Sequence, residues 1–145
     1  AFASHFAPAM LEEAAETYRA TFRPSQWLER PHFMLAAGVC AADSDAEAEY
    51  LRSSQLLAFA RLRLGQAGKL PKPSHDLSEI PAPMRAEVEH ALSCAAVGAP
   101  GTVARRLAAL IDRYRPDEIL LTGMIHDPAA RQRSFRIAAE AMRSL

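Results

Sequence analysis

Few residues in this chain are of a type and spacing that can do chemistry. Ser4 and His5 lie side by side at the end of an apolar stretch, "AFASHF". A hydroxyl and an imidazole there can hydrogen-bond a bound molecule. As a purely structural pair they are a small packing residue and a satisfied core histidine. His126 precedes Asp127, which looks like an acid–base pair. Asp127 followed by Pro128 is better explained as the cap and first residue of a helix, which leaves His126 free near a pocket mouth. "VGAPGTV" puts Gly98 and Thr102 around a helix start, whose free N–H groups can bind an anion. The same residues also make an ordinary tight turn and cap. Cys40 and Cys94 sit in apolar runs and read as buried thiols. His32, His75 and His90 have no metal-ligand spacing, and no metal is expected. No Ser-His-Asp or Cys-His set can be placed from residue order alone.

These residues need elements to position them, and the chain alternates. "FASHF" (Phe2 to Phe6) reads as a short buried strand, and Pro8 opens a helix with Met10, Leu11, Ala14, Tyr18 and Phe22 on one face. Trp27 reads as an aromatic plug in the loop that follows. "FMLAAGVCAA" (Phe33 to Ala42) is apolar throughout, as a strand buried on both faces is. Ser44 and Glu47 make a capping box, and Gly65 ends the helix. Residues 65–83 form a long Pro-rich loop, either a lid or a solvated connection. Then come a short helix, a strand at Ser93 to Gly98, and a helix burying Val103, Leu107, Leu110, Ile111 and Tyr114. A strand at Asp117 to Ile125 follows, and a last helix burying Phe135, Ala138, Ala139 and Met142. Four consecutive strand–helix units predict an α/β chain with parallel strands. In such a fold the site lies at the C-terminal ends of the strands. That adds Ala3 to Ser4 and His5 on the first, and Met124 to His126 on the last.

Bulk composition narrows the function classes. The 145 residues are 50% hydrophobic, enough for one domain with a core. The formal charge is zero, and the Arg residues are scattered, so no nucleic-acid partner is expected. No apolar run approaches the roughly 20 residues of a membrane helix. Two isolated cysteines fit a reducing cytoplasm.

The blocks "FASHFAP", "AADSDAEA", "VGAPGTV" and "DEILLTGMIHD", in this order, resemble the C-terminal half of bacterial luciferase-like monooxygenases. The resemblance implies half of a (β/α)8 barrel, with residues 1–145 one partial domain that begins inside a strand. It implies a flavin-dependent oxidoreductase that uses reduced FMN and O2 on a small organic substrate. It places Ala3, Ser4 and His5 beside the flavin ring, Gly98 and Thr102 as a further cofactor contact, and Met124 and His126 at the substrate pocket. Family members hold the flavin phosphate with a Ser-containing loop and an Arg in the region before "FASHF". Gly101 stands where many of them have an acid. The alternative is a catalytically silent half barrel that only self-associates, because open sheet edges and an apolar interior favour a homodimer.

Overall fold

The computed structural model describes residues 1–4 and 8–145. Its elements run β1 (Phe2–Ala3), a 3-10 turn (Pro8–Met10), α1 (Leu11–Thr21), β2 (Met34–Ala41), α2 (Asp45–Arg63) and α3 (Ala82–Ala91). They continue through β3 (Ala95–Gly98), α4 (Pro100–Tyr114), β4 (Glu118–Thr122) and α5 (Pro128–Arg143). Every strand pairing is parallel, so the α/β architecture expected from the alternation is the one found. His5 and Phe6, assigned to the first strand from sequence, lie outside the described residues.

β2 is the organising strand, because all three others pair with it. Backbone groups of alternate residues point to opposite edges of a strand, and the hydrogen bonds sort themselves by that rule. Even-numbered residues serve one edge: Ser4 N–H donates to the Ala36 carbonyl, Gly38 N–H to the Cys94 carbonyl, and Ala42 N–H to the Gly98 carbonyl. Odd-numbered residues serve the other: Phe33 accepts from Asp117 N–H, and Ala37 from the Thr122 hydroxyl. β1 and β3 therefore share one edge of β2 end to end, and β4 has the other. β4 follows β3 in sequence but pairs with β2, from Met34↔Glu118 to Gly38↔Thr122.

Beyond Thr122 that second edge pairs with no strand among the described residues. The buried Ala41 amide there donates instead to the hydroxyl of Ser134 on α5, at 2.8 Å. Ser134 is itself wholly buried. Ser134→Ala leaves this amide without a partner and is expected to cost about 1–3 kcal/mol, read as a lower urea midpoint. The same contact sets the rotation of α5. The helix buries Ser134, Ile137, Ala138 and Ala141. Phe135 is 37% exposed and Ala139 faces solvent, which corrects the apolar face expected for this helix. A serine needed by a strand amide outranks a phenylalanine for the inside.

The side chains of β2 divide by the same parity. Leu35, Ala37, Val39 and Ala41 are at most 3% exposed. They pack under α1 (Leu11, Ala15), α4 (Val103, Leu107) and α5 (Ile137, Ala138). On the opposite face only the C-terminal end is covered, where Cys40 and Val97 meet Ala48 and Leu51 of α2. Further down that face Met34 and Ala36 are half-buried, and Leu120 is 48% exposed.

Away from the sheet, Trp27 is 82% exposed rather than a plug. Its turn is satisfied locally, with the Trp27 and Leu28 amides donating to the Ser25 hydroxyl, so nothing draws the indole inward. The Pro-rich stretch before α3 packs along α2. Ile80 is buried beside Leu57 and Val88, His75 stacks on Tyr50 at 4.4 Å, and Ser74 N–H donates to the Ser53 hydroxyl. No described helix is long and apolar enough to cross a membrane.

Candidate functional site

Parallel strands bring their C-terminal ends to one rim, together with the starts of α2, α4 and α5. Each of these helix starts carries free N–H groups and positive potential. At each, a side chain of the chain itself already takes an N–H. At α2, Ser44 Oγ accepts from Glu47 N–H at 3.1 Å, and the Glu47 carboxylate accepts from Asp43 N–H at 3.2 Å. At α5, the Asp127 carboxylate accepts from Ala130 N–H at 2.7 Å. At α4 no local side chain caps. The carboxylate of Asp45, 54 residues earlier, takes the Ala99 N–H at 2.7 Å and the Thr102 hydroxyl at 3.3 Å. Asp43 and Arg133 add an ion pair between the start of α2 and α5.

Gly98 makes the Asp45 contact possible. Its φ is +141°, and a Cβ there would run into the Asp45 carboxylate and lie 2.8 Å from the Thr102 Cβ. The Ala99 N–H bond, followed by the Thr102 hydroxyl, holds the Asp45 carboxyl below the ordinary carboxylate range. The Phe33 N–H does the same for Asp117, at 2.8 Å. A carboxyl whose folded pKa is depressed stabilises the fold fully above its unfolded value of about 3.9, and that contribution is lost as pH falls through the folded value. The thermal midpoint is therefore expected to hold level down to about pH 5 and to fall on the acid side of pH 4. Asp45→Asn should flatten that acid limb, and added salt should shrink it, since both carboxylates are solvent-exposed.

The residues singled out from sequence take distinct places. Ala3 is exposed at the end of β1. Ser4 is fully buried, and its hydroxyl donates to the Ala36 carbonyl at 2.7 Å. His5 lies outside the described residues. Gly98 and Thr102 meet at the α4 start, where the Asp45 carboxylate accepts from the Ala99 N–H and the Thr102 hydroxyl. Met124 lines a cavity beside α2; His126 is exposed and is not part of its lining. Burial pushes the Cys40 thiol up to about 12 and raises Cys94 as well, which disfavours the nucleophilic thiolate. No cluster of three or more metal-ligating side chains occurs among the described residues.

That cavity, about 360 Å³, is an apolar concavity below the rim, reaching the middle of β2, the start of β3 and the end of β4. Gly38, Ala95 and Thr122 share one face of the sheet, because Gly38 pairs in register with both of the others. They form one wall, and Gln55, Phe59 and Leu62 of α2 form the other. No charged residue lines it. Sequence reasoning passed over Gln55, since a polar residue in a long helix reads as surface.

No protein-family profile matches the chain. An Escherichia coli K12 protein named luciferase-like monooxygenase is 40% identical over 146 residues, covering 100% of this chain and 44% of the relative. The uncharacterised Bacillus subtilis protein YvbT is 34% identical over 145 residues, covering 99% of this chain and 43% of the relative. The solved structure of apo-MsnO8 superposes with a TM-score of 0.78 at 29% identity, over 97% of this chain and 43% of that one. Monooxygenase RslO1 from Streptomyces bottropensis shares the fold, with a TM-score of 0.52 at 18% identity. The chain thus spans less than half the length of the relatives it matches. Along its whole length, in sequence and in the arrangement of its parallel sheet, the chain is similar to part of a luciferase-like monooxygenase.

Proposed function

We propose that this chain is the C-terminal part of a flavin-dependent monooxygenase barrel that uses reduced flavin and O2 to oxygenate a small organic substrate. The observation that carries the reading is 40% identity, end to end, to part of a luciferase-like monooxygenase. In a barrel of parallel strands chemistry is done at the rim of C-terminal strand ends. The chain's own contribution is a rim held by the Ser44, Asp45 and Asp127 caps and, below it, the uncharged cavity under α2.

The flavin phosphate does not fit the described residues. A phosphate needs unanswered N–H groups at a helix start. At the starts of α2, α4 and α5 a side chain already takes one N–H, and the Asp45 and Asp127 carboxylates there would repel a phosphate. The Ser4 hydroxyl is spent on Ala36. No step of the reaction is therefore assigned to a flavin held by these residues. The isolated chain is expected to bind FMN no more tightly than riboflavin, as read by quenching of flavin fluorescence. A clear FMN preference would place a phosphate site within it.

Oxygenation itself is tested in a chimaera, with this chain replacing the matched 44% of the E. coli relative. Incorporation of 18O from 18O2 into product, dependent on reduced FMN, is the expected result. A chimaera that is folded by circular dichroism, binds reduced FMN and incorporates no 18O overturns the reading.

A second reading has one observation in its favour. Leu120 and Met124 are 48% and 40% exposed on or beside the uncovered sheet face. Alone in solution the chain is proposed to pair through that face with a second copy, as a catalytically silent dimer. Sedimentation as a monomer across the micromolar range would reject it. A cytoplasmic location accompanies both readings, supported by two buried free thiols.

A further inference from the structure

We infer that the cavity beneath α2 is a preformed site for an uncharged, largely apolar ring-sized molecule that bears one acceptor oxygen, and that Gln55 holds that oxygen. Identifying this molecule as a substrate rests on the monooxygenase reading; the binding does not. At about 360 Å³ the space suits a two-ring molecule and lies within the range of small-molecule sites. Gly38 keeps the sheet wall flat, since even a Cβ there would press on the Ala95 Cβ at 3.1 Å. Phe59 and Leu62 supply the opposite apolar wall. With no charge in the lining, an ionised ligand would lose its hydration without compensation.

Only three lining groups can donate a hydrogen bond from a side chain. Cys94 offers only a thiol, a weak donor. The Thr122 hydroxyl reaches the Ala37 carbonyl only at a long 3.5 Å. The Gln55 amide makes no hydrogen bond to any described residue, and it is half-buried at the cavity wall. A donor held in an apolar wall without a partner gives direction to whatever binds there. The other clefts differ in kind. The one along the Pro-rich loop is lined by the paired Arg61 and Glu79, and the one between α1 and α4 by the paired Glu12 and Arg113.

The test uses three probes that differ in one group: 2-acetylnaphthalene, 2-isopropylnaphthalene and 2-naphthoate. Each is titrated into the 15N-labelled chain and followed by amide shifts. The ketone is expected to bind most tightly and to move the Gly38, Ala95 and Gln55 side-chain resonances. Gln55→Leu keeps the volume and removes the donor, so ketone affinity should fall about fivefold to tenfold while hydrocarbon affinity holds. Naphthoate should bind at least tenfold more weakly than the ketone. The inference is overturned if naphthoate matches the ketone, if shifts map elsewhere, or if Gln55→Leu leaves the ketone-to-hydrocarbon ratio unchanged. Such a failure leaves the oxygenation reading standing, because that is judged by 18O incorporation. Ketone binding in a chimaera that incorporates no 18O would keep the site and reject the monooxygenase.

Discussion

Gly98→Ala is expected to destabilise the chain by about 3 kcal/mol or more, or to prevent folding. Two costs combine. A φ of +141° is a conformation that L side chains rarely adopt, worth roughly 1–3 kcal/mol. The new methyl would also lie 2.7 Å from the Thr102 Cγ2 and against the Asp45 carboxylate. Neither neighbour can yield without breaking the bonds that hold Asp45 at the α4 start. Gly101→Ala is the control. Gly101 sits in the first turn of the same helix with no positive φ, and its nearest contact would be Arg105 Nη1 at 3.7 Å. Ala is the better helix former by about 0.8–1 kcal/mol, so this variant should gain a few tenths to 1 kcal/mol. Urea titrations of the pair give opposite signs if the Asp45–Gly98 junction is what locks the rim. Equal, small effects would show that it is not.

Leu107→Ala carries the second large effect, about 3–5 kcal/mol. Leu107 is fully buried on α4 and belongs to the cluster that joins Val39 of β2 to Ile137 and Ala138 of α5. It is therefore a point where the sheet and two helices meet, and small residues such as Ala41, Ala96 and Ala138 around it cannot swell to fill the gap. The loss should appear as a lowered midpoint with an unchanged denaturant slope. Leu62→Ala is the comparison: Leu62 is 58% exposed on α2, and its loss should change stability by no more than about 0.5 kcal/mol. A small effect at Leu107 would mean that α4 and α5 do not share a core with β2 in solution.

Much of the local structure was legible in the residues. The capping of α2 by Ser44 and of α5 by Asp127 was signalled within four residues, and both caps are present. Gly65 has the positive φ of a helix end. Cys40 and Cys94 are buried, as their apolar neighbours required. The four strand–helix units appear in order. All of these depend on backbone preference, periodicity or a side chain's reach along its own turn, and such signals lie next to each other in the chain.

What tertiary structure decided involves partners far apart in sequence. Nothing in "DEILLTGMI" says that it will pair with β2 rather than with its predecessor β3. The choice follows from β3 being four residues long and placed on the edge of β2 that β1 already shares. Asp45 had an evident local use as a charge at its own helix start, yet it serves α4 across 54 residues. Ser134 stands between Arg133 and Phe135 with no local signal for burial, and is the buried partner of Ala41 across 93 residues. Gln55 became part of a candidate site only because α2 folds over one face of the sheet. By itself the sequence determined which segments are strands and helices, how they are capped and which family they resemble, because those follow from short-range sterics, periodicity and motif order. Only the fold decided which edges pair, which carboxylate answers which helix and where a cavity opens, because a hydrogen bond between distant residues leaves no mark on the neighbours of either.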